Sequence, residues 1–322
     1  MPSPDDVRSV ELAVHRALNK ALVAPTQSEP QLVANLVFLL PHYLNRVLSS
    51  ITVSGVFVHN HPHVQPHSAL PDPTPPTFEI GDLLLIRSTV QSDESVTDRR
   101  AMLLQAKKVS SLPVIPGHRN QHFLYSHWPS YEYTVPKPLT GQQRWVSGPD
   151  LYYGARYLLF LDHVSGLVEH WAYLWNCPCD VLTAAPTEPT LSHYSCFATE
   201  FAAFIFGTAG KEYRFPPASG SRDWDQVIHD LVGVTAKASS EYISRVAQGN
   251  SRRGQGPLFL CGEFLQHSLL NLSGASDFSI RAQRATEVYS EPPDVPDRES
   301  GDGDSDGPHG ISIIEIVETI RD

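Results

Sequence analysis

The chain opens on a helical pattern. Val7, Val10, Val14, Leu18 and Leu22 recur three and four residues apart. Ser3-Pro4-Asp5-Asp6 ahead of them combines a capping serine, a proline at the first helical position and acids in the first turn. A second helical stretch is expected over about 31–49, interrupted at Pro41, whose ring removes a backbone donor. The pattern then changes. Residues 51–58 (ITVSGVFV), 78–90 (FEIGDLLLIRSTV) and 101–109 (AMLLQAKKV) are apolar and rich in β-branched residues, so they predict strands. The last two are joined by a polar, hairpin-like connection. Residues 59–77, rich in proline and histidine, predict a loop. Beyond them, 119–128 predicts a short helix, 155–162 and 169–175 strands, 194–206 and 224–246 helices, and 258–261 a short strand. This order predicts an α/β fold, with a mixed central β-sheet flanked by helices rather than a repeating βαβ series.

Composition changes the picture only near the end. Of 322 residues, 41% are hydrophobic and 18% charged, the profile of a soluble globular protein. No apolar stretch is long enough to span a bilayer and no secretory leader is apparent, so a cytoplasmic protein without a membrane partner is expected. Four cysteines exclude a disulfide scaffold and point to a reducing compartment with free thiols. The net charge of −11 is concentrated: residues 285–310 hold eight acids against Arg298, whereas residues 1–284 carry only −2. That excludes a basic DNA-coating protein, but not an enzyme that touches DNA locally. The chain thus divides into a core domain over 1–175, a helical elaboration over 176–284 and a disordered acidic linker over 285–310. Residues 311–322 (ISIIEIVETIRD) read as a terminal strand or a docking segment for a protein partner.

The segment with chemistry is EIGDLLLI followed by LLQAKKV. Asp82 opens one apolar strand, and Gln105 and Lys107, two apart, project from one face of the next. Polar residues inside an apolar strand break the burial pattern and need a reason. If the strands pair, the Asp82 carboxylate meets Gln105 and Lys107 at one sheet end. There it would hold a divalent cation through hard oxygen, with the Gln105 amide as a weaker ligand. Lys107 would orient water or stabilise charge on a phosphate. The plain competing reading is an exposed pair at a strand end and a turn aspartate after Gly81.

This arrangement resembles the PD-(D/E)XK nuclease superfamily, whose motif is an acid on one strand and (E/D/Q)-x-K on the next. Asp82 and Gln105-Ala106-Lys107 match it, and the helices and strands over roughly 5–165 match its restriction-endonuclease-like αβββαβ core, here with C-terminal helical additions. Gln121-His-Phe-Leu-Tyr125 is similar to the Q-x-x-x-Y of RecB-like branches; on a helix Gln121 and Tyr125 share a face and would lie near the active site and DNA. The resemblance implies a Mg²⁺- or Mn²⁺-dependent nuclease acting on DNA, in bacterial nucleic-acid defence or processing. The implied catalytic residues are Asp82, Gln105 and Lys107. The sequence departs from the family at Gln105, where most members have an acid, so a further carboxylate is needed. Glu79, if a bulge at Gly81 re-aims it, and Glu11 on the inner face of the first helix are equal candidates. The alternatives are a catalytically inactive module of the same fold, used for interaction or DNA binding, and a zinc-stabilised scaffold.

Other signals are weaker. His59, His61, His63 and His67 have spacings that can bind zinc, but the prolines favour a solvated loop, from which one histidine would reach the mouth of the site. Cys177, Cys179, Cys196 and Cys261 lack the paired C-x2-C spacing of zinc sites. Asp302, Asp304 and Asp306 copy the start of an EF-hand loop without its closing glutamate. Tyr125, Trp128, Tyr131 and Tyr133 crowd behind the lysine strand as core residues, one or two of them available to stack on bases.

Overall fold

Ser3 closes the first turn of helix α1 (Pro4–Ala21): its hydroxyl accepts from the Asp6 amide at 3.1 Å, and the Asp6 carboxylate accepts from the Ser3 amide at 3.2 Å. The computed structural model to which this helix belongs describes residues 2–22, 27–67, 77–147, 151–161, 180–247, 258–261 and 309–320. Val10, Val14 and Leu18 are buried, as their spacing requires. Helix α2 (Glu29–Leu44) follows and packs on α1. Pro41 does not interrupt it. The helix runs on to Leu44, and the carbonyl of Val37, which cannot receive the usual bond from residue 41, lies against Gly55 of strand β1 (Ile51–Val58). A Cβ at Gly55 would come 2.7 Å from that carbonyl oxygen, so only glycine permits the close approach.

The region expected as a loop holds a short strand, β2 (His63–Pro66), in which Val64 and Pro66 are buried. The single strand expected over 78–90 is broken at Ile80-Gly81-Asp82 into β3 (Phe78–Glu79) and β4 (Leu83–Val90). Strand β5 (Val96–Val109) begins earlier than expected and pairs antiparallel with β4, Leu83 opposite Leu104. Helix α3 (Arg119–His127), strands β6 (Tyr131–Val135) and β7 (Gln143–Arg144) and one turn of helix, α4 (Leu151–Gly154), lead to β8 (Ala155–Leu161), which runs parallel to β5.

After residue 176 the chain is not simply helical, as had been expected. Strands β9 (Val181–Ala185) and β10 (Ser192–Cys196) continue the sheet antiparallel beyond β8. Helix α5 (Phe197–Ile205) takes up the rest of the predicted 194–206 helix. Strand β11 (Lys211–Glu212) pairs with β5, helix α6 (Trp224–Ala247) follows, and β12 (Leu258–Cys261) pairs with β1. The predicted strand at 169–175, the acidic stretch up to residue 308 and the Asp302–Asp306 motif lie outside the described residues.

Residues 312–319 form the last strand, β13 (Ser312–Thr319), so of the two readings of this segment the terminal strand is the one found. It lies between β1 and β4, antiparallel to the first and parallel to the second, with Ile313 opposite Leu84. The main sheet has the order β10-β9-β8-β5-β4-β13-β1-β12, with β11 beside β5; β3-β2-β6-β7 form a smaller one. Neighbouring residues of a strand face opposite sides, yet Ile313 and Ile314 are both fully buried. The described segment is a central strand covered on both faces as far as Val317, with Thr319 and Ile320 exposed at its end. The architecture is α/β with a mixed central sheet. Strands from both sides of residue 175 share it, so no sheet boundary falls there. No described helix is long and apolar enough to cross a membrane.

Candidate metal centre

The break between β3 and β4 builds the site. Gly81 sits against Leu103 and Tyr125: a Cβ there would come 2.8 Å from the Tyr125 hydroxyl oxygen and from Leu103 Cδ1. The Tyr125 hydroxyl donates to the carbonyl of Ile80 at 2.7 Å and pins this turn. The irregular Ile80-Gly81-Asp82 link lets Glu79 and Asp82 approach the same point, which regular strand alternation would prevent.

Asp82 is buried and held on both sides. Its amide donates to Leu104 O at 2.9 Å, extending the β4–β5 ladder by one position. Its Oδ2 accepts from the side-chain amide of Gln105 and from the backbone amide of Ala106, the latter at 2.7 Å. Gln105 Oε1 in turn accepts from Gln121 Nε2, which also donates to Glu79 O at 2.9 Å. Gln105 therefore serves Asp82 as a donor, and its oxygen is turned toward Gln121 rather than toward a metal position. With Gln105 2% exposed and the Lys107 side chain 29% exposed, the competing picture of these two as a solvent-exposed pair does not hold.

His61 completes the group. Its Nε2 lies 3.0 Å from Val58 O; a carbonyl only accepts, so Nε2 carries the hydrogen. Nδ1 then faces Glu79 Oε2 at 3.4 Å and Asp82 Oδ1 at 3.3 Å. One ligand atom from each of His61, Glu79 and Asp82 lies within 4.8 Å of the others. Burial works against a charge on His61, but the two carboxylates outweigh it and push its pKa up to about 10. A cation, whether proton or metal, is what this position calls for. His63 stands at the rim, its Nε2 3.9 Å from Glu79 Oε1.

Lys107 lies two residues along β5 from Gln105. Its Nζ is 3.3 Å from Glu29 Oε2, while Glu29 Oε1 accepts from the Lys108 amide at 2.8 Å. Burial opposes its charge, yet Asp82, Glu29 and Glu79 together raise its pKa above the ordinary lysine value. Lys107 is a fixed cation here, suited to stabilise negative charge and unsuited to act as a base.

Two expected residues take other places. Glu11 accepts from the Thr199 hydroxyl at 3.0 Å, an α1–α5 contact, and has no part in the cluster. Tyr125 is fully buried, as are Tyr131 and Tyr133 with Trp128 nearly so, and none is available to stack on a base. Gln121 and Tyr125 do share a face of α3, but that face turns inward to brace Gln105 and the Ile80 turn. Cys196, expected as a thiol, is disulfide-bonded, which removes the four-thiolate zinc arrangement; Cys177 and Cys179 lie outside the described residues. Beyond Lys107 and Gln121, a pocket of about 130 Å³ opens between the end of β5 and the loop leading to α3. No known protein family, curated protein or solved structure matches the chain.

Proposed function

We propose that the chain is a divalent-metal-dependent nuclease that hydrolyses phosphodiester bonds in DNA, as its D…QxK pattern implies. The observation that carries this reading is the convergence of His61, Glu79 and Asp82 on one point beside the charged Lys107. The donor set fits a metal. The His61 N–H held by a backbone carbonyl leaves the other ring nitrogen aimed inward, an outer-shell arrangement common to ligating histidines. One imidazole and two carboxylates suit Mn²⁺ at least as well as Mg²⁺, because nitrogen donors favour the later metals.

A bound cation would supply Lewis acidity toward a phosphoryl oxygen and a more acidic water. The chain's own residues do the rest. Gln105 and Ala106 hold Asp82 Oδ2, which leaves Oδ1 for the cation position. Lys107, kept protonated by its acidic neighbours, faces the charge that builds on the phosphate. Glu29 restrains the lysine from the side and fixes where its ammonium points.

The test is cleavage of single- and double-stranded DNA by the purified chain in Mn²⁺, Mg²⁺ and chelator, with metal content measured in parallel. Asp82→Ala should abolish metal binding and cleavage together. Lys107→Ala should lower the rate by about 10²–10³, the loss typical of removing one transition-state charge stabiliser, and leave Mn²⁺ binding intact. Equal cleavage by wild type and both variants would overturn the assignment, and tightly held stoichiometric zinc without cleavage would point to a scaffold instead.

A further inference from the structure

The pocket beside Lys107 has walls of three kinds, one of them basic: Lys107, Lys108 and His118. Val109, Val114 and Pro116 are aliphatic; Gln121 and Tyr157 are polar and almost fully buried. Gln121 belongs at once to this pocket and to the hydrogen-bond chain that ends on Asp82, so the pocket and the metal centre are neighbours. Ile115, at its mouth, is 77% exposed, far beyond the other large apolar side chains at the described surface. The Tyr157 hydroxyl is buried and has no hydrogen-bond partner among the described residues.

Three properties narrow the occupant. The first is size. A pocket of about 130 Å³ is close to the roughly 150 Å³ cavity that accommodates one benzene ring, so a single six-membered ring matches it better than a fused bicycle. The second is charge. Lys107 and Lys108 border the pocket, so a group seated in it lies beside the cation that the nuclease reading assigns to the phosphate. The third is surface chemistry. Aliphatic side chains pack on the faces of a flat ring, while a few polar groups read its edge.

We infer that this pocket receives one pyrimidine-sized nucleobase of the substrate strand, next to the phosphate presented to the metal centre, with Ile115 wedged against the neighbouring base. This rests on the nuclease reading and adds to it the form of the substrate: a strand whose base is unpaired at the site, either single-stranded or opened there. Val109, Val114 and Pro116 cover the ring, and Gln121 and Tyr157 border its edge. An apolar side chain held out at a pocket mouth is suited to replace the stacking partner that the base leaves behind.

The experiment measures binding in chelator, where no cleavage occurs, using fluorescence anisotropy of the full chain with ten-nucleotide (dT), (dA) and abasic strands. Wild type should bind the (dT) strand at least tenfold more tightly than the abasic one and more tightly than the (dA) one. Ile115→Asp and Gly117→Phe should bring the (dT)-to-abasic ratio close to one. Ile115 is largely exposed, and a Cβ at Gly117 meets no atom within 4 Å, so neither change disturbs the core. Mn²⁺ binding by both variants, measured by calorimetry, should equal that of wild type. Equal affinity of wild type for (dT) and abasic strands, or a ratio unmoved in both variants, would overturn the pocket assignment; equal affinity for (dA) and (dT) would overturn its ring size. Cleavage in Mn²⁺ is assayed on the same preparations. Cleavage with a ratio near one removes the pocket and keeps the nuclease. A high ratio without cleavage or Mn²⁺ binding keeps the base pocket and removes the nuclease.

Discussion

Gln105 donates its side-chain amide to Asp82 Oδ2, so the two oxygens of one carboxylate have separate duties: Oδ2 is tied to β5, and Oδ1 faces His61 at 3.3 Å. In the resembling family this position is usually an acid. Here a donor holds the aspartate in place instead of adding a second negative charge. Gln105→Glu would exchange that hydrogen bond for two carboxylates in contact. Without metal the variant should be less stable by about 1–3 kcal/mol, the range for a buried polar group left unpaired. With Mn²⁺ the added charge should raise metal affinity and recover much of that loss. Chemical denaturation with and without Mn²⁺ measures both effects; a variant as stable as wild type in chelator would show that the Gln105–Asp82 bond does not hold the site.

Metal binding should appear as stability. A ligand that binds only the folded state at one hundred times its Kd adds about 2.7 kcal/mol. Saturating Mn²⁺ should therefore raise the Tm of wild type and leave His61→Ala and Asp82→Ala unmoved. A similar rise in all three would place the metal elsewhere.

Gly81→Ala puts a methyl group against Tyr125 and Leu103, and overpacking of this kind costs about 1–3 kcal/mol. Tyr125→Phe removes the hydroxyl that clashes, but also its bond to Ile80 O. The double variant should lose less than the sum of the two single changes, since one atom is responsible for part of both. Strict additivity in a denaturation cycle would mean that the two residues do not meet at that atom.

How far the site was legible follows from the range of each contact. The pairing of Asp82 with Gln105 and Lys107 was readable, because polar residues stand out in alternating apolar strands. The choice among His59, His61, His63 and His67 was not. It depends on Val58 O reaching one imidazole and on β2 lying beside β3, and neither leaves a local trace. Glu29 was missed for the same reason: Ser28-Glu29-Pro30 marks a helix start, but nothing local says that its acid meets Lys107, 78 residues away. Sharing of a face by Gln121 and Tyr125 was legible; that the face turns inward was not, since both are polar. The run ISIIEIVETI did carry its own answer. Apolar residues on both faces mark a strand buried on both sides, which an edge or docking strand is not.

Truncation before Ser312 should therefore abolish folding rather than free a tail. A gentler probe is Ile314→Ala, a fully buried position in β13, expected to cost about 2–5 kcal/mol. Near-native stability of either protein by denaturant titration would contradict the central placement.

Acid should weaken the fold through His122. Burial holds its pKa below the ordinary 6.5, against the pull of Glu188. As pH falls through about 6.5 the unfolded chain takes up the proton first, so stability declines with falling pH and is fully present above that value. His122→Phe should flatten the decline in Tm between pH 7 and pH 5. An unchanged slope would show that the histidine is not held neutral.

The position of β13 also sets a schedule. Leu83 of β4 waits for Ser312, and Ile51 of β1 for Glu318, so two strand flanks made early stay unpaired until the ribosome has passed residue 319. At about 5–20 residues per second, the 229 residues separating Leu83 from its partner take about 10–50 s to synthesise. During that interval the open edges of β1 and β4 are templates for any other strand. The nascent chain is thus most exposed to misassembly while the residues of its candidate metal centre already exist, with α2 packed on β1 and α1 packed on α2 as the cover available in the meantime.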